Sequence, residues 1–394
     1  MNRQQAHFIQ PHDVLFLRGN KLFGDPGSYG ESLVPPWPSV MAGAIRSHIL
    51  AQDGSDLKLF AQGRQAHPQL GTPQQPGSFM LAAFHLARSL ADGQIEALMA
   101  TPADLLISAG QAGKPQIKPL SPIRLSDVAG AGLAGTGISS SAPLAHAPVL
   151  AQNKRSKSLS GYWLAESGWR RYLAGQLPQA EDLIHSSALW ALDARVGVGL
   201  DSEQHRAEDG KLFSMQAIAF CEGVGFLVQV SGAEVPAGAI RLGGDGRAAS
   251  LQPLEQGLPE ADYAAIAQSG RCRLLLTMPG LFSGGWLPTG FSYFPPGEGT
   301  QEKEVRFDLC GVKGRLVCAA VPRAEVISGW DLANWQPKAA QRAAPSGCVY
   351  WLDELQATPE QLRKLAKQGF WPEQGYDAQR RAEGFNRLAL AIWS

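Results

Sequence analysis

HFIQPHDVLFLRG (His7–Gly19) followed by ESLVPPWPSVMAGAIRSHIL (Glu31–Leu50) sets the reading of the chain. Phe8, Val14, Phe16 and Leu17 give the first segment the bulk of a strand, and Pro11 argues for an edge position or a bulge. GNKLFGDPGSYGES then reads as loop, because glycine and proline break regular structure. Pro35, Pro36 and Pro38 hold the chain extended. Ser39 is the expected N-cap, and a helix is predicted over Val40–Ala51 with Val40, Ala44, Ile45 and Leu50 inward and Arg46 elsewhere. The start of that helix carries no acidic side chain, so its free N–H groups favour an anion.

Working outward, Phe79–Met99 reads as helix and Leu105–Ser126 as irregular chain rich in proline and lysine. AGAGLAGTGISSS (Ala129–Ser141) approaches low complexity and is expected to be mobile. NKRSKSLSGYWLAESGWRRYLAGQLP (Asn153–Pro178) mixes cations with aromatic rings. Such a mixture suits single-stranded RNA, with Lys154, Arg155 and Lys157 on phosphates and Tyr162, Trp163, Trp169 and Tyr172 stacking on bases. The same aromatic rings equally suit a core or a protein partner. Three strands are predicted next, over Ala194–Leu200, Leu212–Phe220 and Phe226–Val230. IRLGGDGRAA is a strand ending in a glycine turn, which reads either as an ordinary β-turn or as a turn whose Arg247 reaches a backbone phosphate.

A short helix is expected over Pro259–Gln268, then apolar strands over Cys272–Met278, Arg315–Val321, Gly347–Trp351 and Leu388–Trp393. TPEQLRKLAKQG predicts a helix over Pro359–Gln368, with Thr358 at its N-cap and Gly369 past its end. Long, irregular alternation of amphipathic strands and helices indicates α+β architecture in two domains, not a doubly wound sheet. The expected division is 1–235, with an insertion over about 53–190, and 236–394, with a glycine-containing loop near 375–386.

Composition narrows the function classes. The 394 residues carry 35 basic and 35 acidic side chains, so any polyanion site must be a local patch and not a global field. The 5 cysteines are widely spaced with no CxxC pair, which suggests neither a zinc site nor a disulfide framework. No signal-peptide pattern or spanning apolar run is evident, and a cytoplasmic protein with no membrane role is expected.

Catalytic constellations are weak. Asp193, Asp201, Asp209, Glu203 and Glu208 read as turn caps and surface, without HExxH or DxD order. No GxSxG elbow or GxxxxGK[ST] loop occurs. His12, His185 and His205 are candidates for metal-independent RNA cleavage, which needs a base near the ribose 2′-OH and an acid near the leaving oxygen, but without a clear partner a surface role is the simpler reading. No metal or cofactor is implied.

Several blocks, in their common order, resemble the RAMP superfamily of CRISPR effector proteins, in particular the third-subunit family of the type III-B Cmr complex. They are FIQPHDVLFLRG with LFG, VPPWPSVMAGAIRSHIL, RVGVGLD…HRAEDGKLFSM, GVGFLVQV, GGDGR, PSGCVYW and EGFN. The resemblance covers most of the chain. It implies two ferredoxin-like, RRM-type domains with long loop and helical insertions. It also implies a non-catalytic subunit that holds the 5′ tag of the crRNA and bridges the large polymerase/HD-type subunit to adjacent backbone RAMP subunits. Target RNA would be met only through the guide.

On the matching blocks, the RNA contacts implied are Arg18, Ser39, Arg46, Arg195, His205, Arg247, Gly384 and Asn386. Arg195 stands where relatives carry histidine, and the final LALAIWS lacks the glycine and basic residue that relatives often have. Two other readings stay open. One is a metal-independent endoribonuclease that processes CRISPR precursor RNA through His205 or His12. The other is a protein-only scaffold.

Overall fold

The computed structural model describes residues 4–17, 29–30, 32–110, 113–125, 144–152, 157–201, 206–294, 304–331, 334 and 336–394; for 29–30 and 207–211 it describes the backbone alone. Two antiparallel sheets form the body of the protein. The first uses β1 (Gln5–Pro11), β2 (Met80–Ser89), β3 (Ile95–Ala100), β4 (Tyr162–Leu164), β5 (Leu183–His185), β8 (Val224–Ser231), β9 (Gly238–Leu242) and β10 (Arg247–Leu254). Their spatial order is β5-β4-β3-β2-β8-β1-β10-β9. Between β5 and β8 the chain leaves as a ribbon, β6 (Trp190–Leu200) paired with β7 (Ala207–Phe220).

The second sheet uses β11 (Cys272–Leu276), β12 (Phe291–Phe294), β13 (Glu304–Leu309), β14 (Val312–Ala320), β15 (Val349–Gln356) and β16 (Leu388–Ile392), in the order β12-β13-β14-β15-β11-β16.

Each sheet contains a ferredoxin-like core. In the first, β1, β2, β8 and β10 lie as β2-β8-β1-β10, which is the fourth-first-third-second order of that fold. In the second, β11, β14, β15 and β16 repeat it as β14-β15-β11-β16. Each copy keeps one of the fold's two helices. The first retains α1 (Pro38–Gln52) between its first and second core strands, while β9 stands where a helix would follow β8. The second retains α4 (Pro359–Gln368) before its last strand, followed by the short α5 (Ala378–Ala382).

Strand alternation decides what each face buries. In the first sheet, Ile9, Phe84, Leu86, Phe226 and Val228 pack with Met41, Ile45 and Ile49 of α1. These helix positions are four apart and almost fully buried, so each side chain contributes about 1.5–3 kcal/mol. Phe8, Ala87 and Leu227 point the other way and meet Leu275, Val349, Trp351 and Ala391 of the second sheet. The second sheet's outer face, with Leu274, Tyr350 and Leu390, is covered by α3 (Tyr263–Ser269) and α4. The order of layers is therefore α1, sheet, sheet, then α3 with α4. The helix α2 (Glu166–Leu173) fills the middle layer with Trp169, Tyr172 and Leu173.

The α+β reading holds, and so do the three strands around the ribbon and the helix at Pro359–Gln368. In α4, Thr358 accepts from the N–H of Gln361 and the Gln361 side chain returns to Thr358, a complete capping box.

Four expectations need correction. Phe79–Met99 is not helical: β2 and β3 form a hairpin closed at Leu90–Gln94, with β2 also paired to β8. Its Ala- and Leu-rich composition yields to cross-strand packing. The proline- and lysine-rich chain from Leu105 makes short paired strands, Leu105–Ala109 with Pro115–Pro119 and Ser121–Arg124 with His146–Val149. β1 is not an edge strand: it pairs on both sides, and Pro11 is tolerated because it is the last residue. Ser39 does not cap α1. Trp37 occupies that position with no side-chain cap, because Pro38 already starts the helix.

The first sheet runs through Leu254, so residue 235 falls between two of its strands. Residues 80–100 and 162–185 supply four strands to the same sheet. Ala129–Ser141 lies outside the described residues. Among the described residues no helix is long and apolar enough to cross a membrane.

Candidate nucleic-acid interface

Phe16, in the opening block, gathers two half-buried arginines from later in the chain. Two contacts fix its position. Leu15 exchanges backbone hydrogen bonds of 2.9 Å with Ile218 of β7, and the Phe16 carbonyl accepts from Gly244 at 2.8 Å. Gly243, with φ of 74°, is required there, because a Cβ would come within 2.8 Å of the Phe16 oxygen. Asp245 and Gly246 continue the left-handed turn at φ of 60° and 58°. Arg247 emerges from it at the start of β10.

The Arg247 guanidinium lies 5.2 Å from the Phe16 ring centroid, and that of Arg195, on β6, lies 5.9 Å from it. One buried ring near the start of the chain thus holds two arginines from its middle, by cation–π attraction. Each also pairs with an aspartate: Arg247 with Asp13 and Arg195 with Asp193, both at 2.9 Å. Both pairs are partly exposed, so each is worth little and is open to exchange for a phosphate.

The remaining expected contacts fall elsewhere. Lys157 is exposed beside the Leu105–Ala109 strand, where Ser158 bridges to Ser108. Ser39 is half-buried in the first turn of α1. Arg46 turns inward: its guanidinium lies 5.0 Å from the Phe79 ring centroid. Burial pulls its pKa down against the raising effect of Glu383.

Gly384 and Asn386 are also turned inward. A Cβ on Gly384, at φ of 93°, would come within 2.8 Å of the Leu81 carbonyl in the first sheet. Asn386 is 1% exposed, and its Oδ1 accepts from the Leu281 N–H at 2.6 Å. The EGFN block is therefore a packed clamp and leaves these two residues no open face for RNA. Arg18, Lys154, Arg155 and His205 lie outside the described residues.

The aromatic segment divides. Trp169 and Tyr172 are buried and stack on each other at 5.9 Å, which removes them as base platforms. Tyr162 and Trp163 are half-buried. His12 and His185 are exposed, and His185 is bonded through Nδ1 to Ser187 at 2.8 Å. Among the described residues no group of three or more His, Cys, Asp or Glu side chains is placed to hold a metal ion.

Sequence reading missed Phe16 as a hub. Its signal was present: an aromatic residue directly before LRG, in a chain where GGDGR must turn tightly against something.

The family model described as CRISPR-associated protein (Cas_Cmr3) matches residues 7–393. Among curated proteins no sequence matches. Among solved structures, the chain is similar to one in the cryo-EM structure of the type III-B Cmr-beta bound to cognate target RNA and AMPPnP. Identity is 14%, the TM-score is 0.46, and the match covers 98% of each chain. A chain of the type III-B Cmr-beta bound to cognate target RNA is 13% identical, with a TM-score of 0.45, over 97% of this chain and 96% of that one.

Proposed function

The chain belongs to the Cas_Cmr3 family of CRISPR-associated proteins, and on that footing we propose that it is a non-catalytic, RNA-binding subunit of a type III-B interference complex. Its ligand is the 5′ tag of the crRNA, held as single-stranded RNA by its backbone. Sequence reading of the target is left to guide pairing. Its protein partners are the large polymerase/HD-type subunit and the adjacent backbone RAMP subunits.

The observation that carries this reading is the convergence of Arg195 and Arg247 on Phe16. Two cations held on one ring, each with only a partly exposed aspartate as counter-ion, can take adjacent phosphates without rearranging the fold. Lys157 adds an exposed cation elsewhere on the surface.

The test is purification of the assembled complex followed by sequencing of the bound RNA. A mature guide beginning with a constant 5′ tag, crosslinked to this chain through the tag, is the expected result. Bound precursor RNA that the purified chain cleaves in EDTA would establish the endoribonuclease instead. Crosslinks confined to other subunits would leave a protein scaffold.

A further inference from the structure

A cavity of about 220 Å³ lies against the proline-rich entry to α1. Pro36 and Trp37 of that entry, Phe84 of β2, Trp163 of β4, Met278 after β11 and Glu325 line it. Glu325 opens the Glu325–Ile327 strand, which pairs with Gln341–Ala343. Ile327 is fully buried in a cluster with Trp37. Side chains two apart on a strand share a face, so Glu325 is turned to the same side as Ile327, toward Trp37 and the cavity. Trp163 is half-buried and forms a T-shaped pair with Trp190, their ring centroids 6.3 Å apart.

The Glu325 carboxylate is the odd member of this apolar wall. Among the described residues it makes no hydrogen bond or ion pair, and its oxygens are not sealed from solvent. Burial raises its pKa, and no basic group pulls it back. The lining holds no lysine or arginine, and burial drops the pKa of His85 on it to about 4, so that ring is neutral. The cavity therefore carries one acid and no base. A nucleotide there would set its phosphate against that acid with nothing to offset the repulsion. A cation gains from the carboxylate and from the aromatic rings together. Arginine suits flat aromatic and proline walls better than lysine, because its guanidinium is planar and weakly hydrated. Thr277, Ser346 and neutral His85 supply acceptors for its remaining N–H groups. Size points the same way: the cavity falls below the roughly 300–1,000 Å³ of small-molecule sites and suits the end of one side chain. One such group binds weakly by itself, so it acts as an anchor carried by a larger partner.

We propose that this cavity receives an arginine side chain from a protein partner, with Glu325 as its counter-ion and Trp37 and Trp163 as its walls. The site goes beyond the RNA reading. It rests on the chain acting as one subunit among several, and not on any contact with the crRNA.

The test uses the full chain, isotopically labelled at its tryptophan indoles, and two probes: N-acetylarginine methylamide and its neutral isostere, N-acetylcitrulline methylamide. The Trp37 and Trp163 indole N–H resonances, assigned through Trp37→Phe and Trp163→Phe, are followed by NMR. The arginine probe should shift them saturably, and the citrulline probe should bind about fivefold or more weakly, as loss of an ion pair beside aromatic walls requires. Glu325→Gln should weaken the arginine probe by a similar factor. In the assembled complex, Glu325→Gln should release a protein partner at lower salt than wild type does, with the RNA crosslinks of this chain unchanged. No resonance shift in the unaltered protein overturns the site, even if Glu325→Gln fails to fold. Equal affinity for the two probes overturns the counter-ion role of Glu325. Probe binding with wild-type retention of every protein partner overturns the docking role and assigns a free organic cation as the ligand. Loss of RNA crosslinks with every protein partner retained overturns it in favour of an RNA contact.

Discussion

Arg273 of β11 donates through Nη1 to Asp104 at 2.9 Å, joining the second sheet to a residue that precedes the Leu105–Ala109 strand. Arg273 also donates to the carbonyls of Tyr172 and Ile392, and its guanidinium lies 4.1 Å from the Tyr172 ring centroid. The Tyr172 hydroxyl is 3.0 Å from both Asp104 oxygens. One buried network thus ties α2, the start of the Leu105–Ala109 strand, β11 and the last strand. Burial raises the Asp104 pKa, and Arg273 opposes that shift directly. Arg273→Met should therefore strand a buried carboxylate and cost about 3–5 kcal/mol. Urea unfolding measures it. Asp104→Leu combined with Arg273→Met should recover part of the loss, and a double variant no more stable than the single would contradict the pairing.

His85 predicts the acid limb of stability. It is buried on the inner face of the first sheet, and burial drops its pKa from 6.5 to about 4. The unfolded chain takes up the proton near pH 6.5 and the folded chain resists until about pH 4. Stability from the neutral ring is thus complete above the unfolded value and is lost as pH falls through that window, by about 3 kcal/mol in all. His85→Gln should flatten the dependence of the unfolding free energy on pH between these limits. An unchanged slope would show that other groups carry the acid limb.

Gly384 should not tolerate a side chain. At φ of 93° with the Leu81 carbonyl 2.8 Å from a Cβ, alanine meets both backbone strain and a rigid obstacle. Gly384→Ala is expected to lower stability by about 1–3 kcal/mol. Its RNA affinity, measured on the remaining folded fraction, should match wild type. Selective loss of affinity with stability intact would restore Gly384 as an RNA contact.

The strands that sequence reveals are those whose own alternation is strong. RVGVGLD and GKLFSM declare the ribbon, and TPEQLRKLAKQG declares α4 through its cap, proline and terminal glycine. The β2–β3 hairpin hides because MLAAFHLARS is a good helix on propensity alone and becomes a strand only with β8 beside it. The site divides in the same way. Arg195 and Arg247 stand out by their blocks, but their meeting on Phe16 joins residues about two hundred positions apart in sequence. Asn386, at φ of 63°, looks the same in sequence whether its turn faces solvent or closes on Leu281. Only the packing of the sheets settles which.

Arg195 and Arg247 give the sharpest functional expectation. Each phosphate contact releases condensed counterions, so removing one should lower the salt slope of RNA binding by roughly 0.7 for a single strand. Arg195→Ala and Arg247→Ala should each weaken binding of tag RNA and reduce that slope by about this amount, with a near-additive double variant. Phe16→Leu keeps both cations and removes the ring that gathers them. It should weaken affinity while leaving the slope closer to wild type, because the charges remain but are less well placed. Binding measured by fluorescence anisotropy across a salt series separates the two effects. Unchanged slopes in both arginine variants would exclude Arg195 and Arg247 as phosphate contacts.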